Sequence, residues 1–134
     1  MGAFGTPLSI ALAAATLVLG SSATTVWAQA HDWKAPAEAK ALKNPEKGTE
    51  LGKKSVETNC VPCHGPTGKG DGPAAAALNP KPANWTSDHV KKETDGEIFW
   101  KISNGRGPMP PWKHLPEKER WQIVNYIRTL QGKK

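Results

Sequence analysis

The sequence has only two cysteines, Cys60 and Cys63, so the disulfide framework that staples many small exported domains is excluded. It has two methionines, Met1 and Met109, and no stretch in which apolar and polar residues alternate long enough to build a sheet. No internal repeat is present. Apolar residues make up 37 % of the chain, and part of that fraction sits in one block at the N-terminus. The 12 Pro and 13 Gly interrupt the rest of the chain too often for a bundle of long helices, a coiled coil or a multi-span membrane protein, and no Gly-X-Y period supports collagen. The class left open is one small, loop-rich domain whose own side chains offer a thin core.

Charge of either sign is absent from the side chains of Met1 to Ala30. Leu8 to Gly20 (LSIALAAATLVLG) is an apolar run, and Ala28-Gln29-Ala30 is an A-x-A cleavage signature, so residues 1–30 read as a secretory leader cut near Ala30. The run falls short of the roughly 20 residues a spanning helix needs. No Lys or Arg precedes it, which leaves an uncleaved anchor as the other reading, the only one in which a membrane is a partner. Export to the periplasm is expected. All 18 Lys and Arg and all 12 Asp and Glu lie after Ala30, so the net charge of +6 belongs to the exported part.

Residues 31–48 are rich in Ala, Lys and Pro without periodicity, and residues 31–45 are expected to be a flexible tail. Glu46 to Asn59 has helical character with a narrow apolar stripe at Leu51 and Val56. Residues 65–73 (GPTGKGDGP) form a loop, Ala74 to Leu78 about one helical turn, and 79–84 (NPKPAN) an extended segment. Thr94 and Glu97 make a capping box for a helix over 95–103, with Ile98, Phe99 and Ile102 on one face and Gly105 as its stop. After the Pro-rich loop 106–115, a last helix starts at about Pro116 with Ile123, Val124, Ile127 and Leu130 on one face, flanked by Trp121 and Tyr126.

Cys60-Val61-Pro62-Cys63-His64 is C-x-x-C-H, the attachment signature for c-type haem. Each thiol can add across a porphyrin vinyl group, the two-residue gap roughly matches the vinyl separation, and His64 then projects over the ring to bind iron. A zinc site would need a fourth ligand, and there is no second Cys pair. A redox dithiol expects a βαβ context that the pattern lacks. A disulfide across two residues would be strained and would stabilise little.

Without the leader, Met109 is the only methionine. It lies in Gly107-Pro108-Met109-Pro110-Pro111, outside any periodic element, whereas a Met used as core filler lies inside one. A proline-stiffened loop suits a weak thioether ligand, so Met109 is the expected second axial ligand. His31, His89 and His114 are the other candidates, each also readable as a solvated side chain.

With these residues in place the chain resembles a class I c-type cytochrome over roughly residues 46–131. The resemblance is carried by Gly52-Lys-Lys, Cys60-x-x-Cys63-His64-Gly65, Gly68-Lys-Gly-Asp-Gly-Pro73, Ile102-Ser-Asn-Gly105, Met109-Pro-Pro-Trp112 and residues 121–130 (WQIVNYIRTL). It implies an all-α fold of three to four helices and long Gly/Pro-rich loops around one covalently bound haem c. The first and last helices would cross at Gly52 with Tyr126 as the aromatic partner. Val56 and Pro116 depart from the family's usual aromatic and Ser/Thr cap. A proline carbonyl, of Pro80 or Pro82, is expected to fix the His64 ring. Trp85, Trp100 and Trp112 read either as haem walls or as ordinary packing, and Arg106 as a propionate contact or a solvated side chain.

His plus Met fills both axial positions of the iron, so catalysis at the metal is not expected, and the implied function is single-electron transfer. The alternatives are an electron-transfer subunit of a larger periplasmic oxidoreductase, and a ligand-binding or peroxidatic haem protein in which Met109 swings away. Lys69, Lys81, Lys101 and Lys113 lie in segments expected around the haem. They either form a basic face for the acidic docking face of redox protein donors and acceptors, or serve solubility. An exported chain without an Arg cluster is not a nucleic-acid binder.

Overall fold

The computed structural model describes residues 33–133 together with Met1 and Gly2. The expected leader apart from those two residues, and His31, lie outside the described residues. Among the described residues six α-helices run in order: α1 (Ala37–Ala41), α2 (Glu50–Ser55), α3 (Val61–His64), α4 (Asp88–Lys92), α5 (Asp95–Asn104) and α6 (Glu117–Leu130). A π turn (Val56–Cys60) joins α2 to α3, and a 3-10 turn (Ala75–Ala77) comes after the glycine loop. Among the described residues no strand forms, and the single antiparallel bridge pairs Arg106 with Met109. The all-α expectation holds, with three substantial helical segments at 50–64, α5 and α6. The short α4 has no apolar periodicity to betray it; Ser87 caps it by accepting from the Val90 amide at 3.4 Å.

The capping box is present as the sequence implies. The Thr94 hydroxyl accepts from the Glu97 amide at 3.2 Å, and the Glu97 carboxylate accepts from the Thr94 amide at 2.8 Å. Gly105 closes α5 with φ +62°. On α6, Trp121, Ile123, Val124 and Ile127 are buried. Burying each such side chain contributes roughly 1.5–3 kcal/mol before entropy is counted. Leu130 and Tyr126 pack at the margin of the same cluster, which also holds Val56, Trp85, Val90, Ile98, Phe99 and Ile102. Phe99 and Trp121 stack at 3.8 Å, with the Arg120 guanidinium 4.7 Å over the Phe99 ring. The α5 and α6 helices are further joined by Arg128, which donates to Asp95 at 2.7 Å and to the Glu93 carbonyl at 2.6 Å.

The contact between α2 and α6 depends on Gly52. A Cβ there would overlap the main chain of Gln122 and Ile123, so the two helix backbones touch where the side chain is missing. Gln122 uses the approach: its side-chain oxygen accepts from the Leu51 amide at 3.0 Å. Asn125 adds bonds to Asn44 at 2.7 Å and to the carbonyls of Glu46 and Gly48.

One expectation is corrected. Residues 31–45 read as a flexible tail, but α1 packs on α5, with Ala35 and Ala39 buried. The reason is local: Gly96 has no Cβ, and a Cβ there would overlap the Ala39 carbonyl. Two small residues on or beside α1 and one glycine on α5 suffice for a helix contact without leaving a periodic apolar stripe in the sequence.

Candidate haem site

The helical segment 50–64 carries both cysteines to one end. Its π turn widens the helix over Val56–Cys60, a local distortion often found beside functional positions. Cys60 then serves as the N-cap of α3, with Pro62 in the first helical turn where no amide is needed. The glycine loop folds back over the end of α3. Gly65, Ala74, Gly72 and Gly70 donate their amides to the carbonyls of Val61, Pro62, Cys63 and His64 at 2.8–3.1 Å. The four carbonyls that a helix end leaves bare are thereby all satisfied. A Cβ on Gly72 would overlap the carbonyls of Val61 and Pro62, so the loop can sit this close only with glycine there.

This cap immobilises His64, which is buried with 7 % of its surface exposed. Its Nδ1 lies 3.0 Å from the Ala83 carbonyl. A carbonyl can only accept, so Nδ1 carries the proton and Nε2 is left with its lone pair. Burial lowers the His64 pKa, and the Ala83 carbonyl opposes that only in part, so the ring is held neutral. The orienting carbonyl belongs to Ala83 and not to Pro80 or Pro82, because the Pro82 carbonyl faces Gly70 instead. Trp85 stacks on a face of the ring.

Cys60 and Cys63 are both half-buried free thiols. Burial, with a smaller contribution from Cys63, pushes the Cys60 thiol up to about 12. Reactive dithiols have depressed values, so this environment argues against thioredoxin-type chemistry. Among the described residues no three His, Cys, Asp or Glu side chains are grouped to hold a metal ion.

Met109 sits in a tight turn. Arg106 and Met109 exchange both backbone hydrogen bonds, at 2.9 and 3.0 Å, around Gly107-Pro108. Gly107 has φ +55°, which suits the first central position of such a turn. The loop is tied down beyond it: the Trp112 amide donates to the Ile102 carbonyl at 3.0 Å, and Arg120 donates to the Leu115 carbonyl at 3.2 Å. Cys60, Met109 and Trp112 all pack against the one buried cluster, and His64 stacks on that cluster's Trp85. The chain thus gathers Cys60, His64 and Met109 around a single apolar centre.

The other histidines are differently engaged. His89 is exposed and 3.3 Å from Glu93, and His114 lies against Trp112 with 5.5 Å between ring centroids. Of the four lysines singled out, Lys81 caps the 3-10 turn through the carbonyls of Ala75 and Ala76, and Lys101 pairs with Glu93. Lys69 and Lys113 are exposed.

The family model described as cytochrome c oxidase, cbb3-type, subunit III matches residues 46–127. The chain belongs to this family of c-type cytochromes. Its fold is the small all-α cytochrome c fold, an electron-transfer domain that by its family carries covalent haem c. Among solved structures it is similar to a chain of the reducing HAO-like protein complex of Kuenenia stuttgartiensis, with 31% sequence identity and a TM-score of 0.57, covering 66% of this chain and 45% of that one. The cytochrome therefore spans less than half the length of that protein. A comparison with curated proteins gave no match. Among the described residues no helix is long and apolar enough to cross a membrane.

The donor set fits the group. Two half-buried thiols, spaced by two residues, precede a neutral imidazole whose Nε2 is free; Cys60 borders the apolar cluster and His64 stacks on its Trp85. Nothing in the amino-acid pattern marks Ala83 as the source of the orienting carbonyl, and the π turn also leaves no sign there. Trp85 is legible as a pocket candidate, but its stacking partner is not.

Proposed function

We propose that this cytochrome is an exported, periplasmic single-electron carrier holding one haem c through Cys60 and Cys63, with His64 and Met109 as axial ligands. Residues 1–30 would be the leader and residues 46–131 the haem domain. The observation that carries the reading is the bond from His64 Nδ1–H to the Ala83 carbonyl, which leaves Nε2 as the only ring atom able to bind iron. When bound, the haem supplies a one-electron couple. The residues do the rest. His64 is fixed in one tautomer and orientation, Met109 is held by a doubly bonded turn, and the cluster around Phe99 and Trp121 keeps water from the apolar side. A thioether is a weak donor that favours the ferrous state and raises the potential. Neither axial position is then open to substrate. Lys69 and Lys113, both exposed, support a basic docking face for acidic redox partners.

The test is the mass and ferric spectrum of protein purified from a cell with an intact c-haem maturation system. The expected result is the processed chain plus one haem, with a thioether-to-iron charge-transfer band. A colourless protein with the mass of the bare chain overturns the reading.

A second reading, an electron-transfer subunit of a larger oxidoreductase, is favoured by one observation: the similar solved chain is part of a protein complex. Size-exclusion of native extracts separates the two, since a subunit co-elutes with an enzyme.

A further inference from the structure

We propose that the N-terminal arm is a clamp on the Met109 turn, and that Trp33 is the positioning residue through which it acts. This rests on the reading of Met109 as an axial ligand. Trp33 meets the ring of Trp100 edge-on at 6.4 Å. Over its face lie the Lys101 ammonium at 5.5 Å and the Arg106 guanidinium at 6.0 Å. Trp100 and Lys101 belong to the last turns of α5, whereas Arg106 is the residue that pairs in both directions with Met109. One indole therefore joins the end of a helix to the first residue of the turn.

The arm has its own anchor, so the indole is not a loose end. Ala39 is 2 % exposed and its carbonyl rests on Gly96. Lys40 lies 3.6 Å from Glu97 at the start of α5. From there back to Trp33 the contacts shift along α5 from Gly96 and Glu97 to Trp100 and Lys101. Among the described residues, the Arg106 side chain has Trp33 as its one ring or charged contact. Opening the turn breaks the backbone bonds between Arg106 and Met109, and a guanidinium seated over the indole holds the Arg106 side of the turn in place. A cation held over an aromatic face resists displacement.

The experiment uses haem-loaded, ferric protein mixed with imidazole, which enters only when the Met109 thioether leaves. Loss of the thioether-to-iron band gives the exchange rate. Trp33→Leu keeps an apolar contact with Trp100 and removes the ring face. Arg106→Gln, at an exposed side chain, removes the cation without disturbing packing. Each variant is expected to exchange about two- to five-fold faster, the size of an exposed cation–π contact. The double variant should be no faster than the quicker single one, and melting of the helical signal should stay as in the wild type. Wild-type exchange in Arg106→Gln, or effects that multiply in the double variant, would overturn the clamp. A wild-type protein with no thioether band would fail differently, by removing Met109 as ligand and the clamp with it.

Discussion

The indole of Trp85 lies parallel to the imidazole of His64, with 4.4 Å between ring centroids and 22° between planes. The main chain of Trp85 is itself pinned on both sides of its Cα. Its amide donates to the Gly68 carbonyl at 2.7 Å, and its carbonyl accepts from the Gln131 side chain at 2.7 Å. The glycine loop, the end of α6 and the imidazole thus meet at one residue, the first two at its main chain and the third at its ring. The loop that caps α3 and the helix that closes the fold both bear on how His64 is aimed.

Trp85→Ala removes that junction. Deleting a buried Trp side chain costs about 3–5 kcal/mol, and here it also frees the imidazole to rotate. The expected outcome is a lower melting temperature of the haem protein together with a changed reduction potential. Trp85→Phe should restore most of both. An unchanged potential in Trp85→Ala would mean that Ala83 alone orients the ring.

Gly52→Ala should be far more costly than an ordinary substitution on a helix. Ala is the better helix former by about 1 kcal/mol, so propensity alone predicts a gain. The new Cβ would instead overlap the main chain of Gln122 and Ile123, which cannot move aside without parting α2 from α6. Overpacking of this kind costs about 1–3 kcal/mol or more. Denaturant unfolding of the haem protein, with exposed Lys53→Ala as control, checks the sign.

How much of this is legible in advance depends on the mark each feature leaves in the sequence. Thr94 with Glu97, and the 3.6-residue spacing on α6, announce themselves because one stretch of chain holds both partners. C-x-x-C-H stands out because haem attachment needs those residue types, and Met109, the ligand proposed above, because it is the one methionine after the expected leader. The docking of α1 leaves no periodic mark, since it depends on Ala39 meeting Gly96, far along the chain. The orienting carbonyl escapes for a similar reason: any residue supplies a carbonyl, so only the path of the backbone distinguishes Ala83 from Pro80 and Pro82.

Glu97 gives a pH dependence with a definite sign. Desolvation pushes its pKa up, but the Thr94 amide and hydroxyl, with Lys40 and Lys101, outweigh it and hold the carboxyl below its ordinary value. A carboxyl depressed in the folded state adds stability that is complete above the ordinary Glu range near ~4.3. That stability is lost as the pH falls through the lower folded value. Thr94→Ala should cost about 1 kcal/mol at neutral pH. In Glu97→Gln the part of the acid-side slope due to this residue should vanish, which unfolding curves at stepped pH would reveal. An unaltered slope would assign it to other carboxylates.

The chain without its haem should lack a stable fold. The cluster that holds the domain together includes Val56, Ile98, Phe99, Ile102, Trp121 and the α6 face, yet Cys60, Met109, Trp112 and Leu115 border it only half-buried. A porphyrin covered on both faces would add on the order of 10 kcal/mol of gross burial at ~25 cal/mol/Å2, comparable to the whole net stability of a small domain. Cofactor binding and folding are then one event, as in small metal-dependent domains. Cys60→Ala/Cys63→Ala prevents attachment while leaving α5, α6 and Gly52 unchanged. Circular dichroism of that variant should show most of the helical signal lost and no sharp melt. A native spectrum with a cooperative transition would mean that the helices pack without the porphyrin, and that the haem is a passenger in a fold that stands by itself.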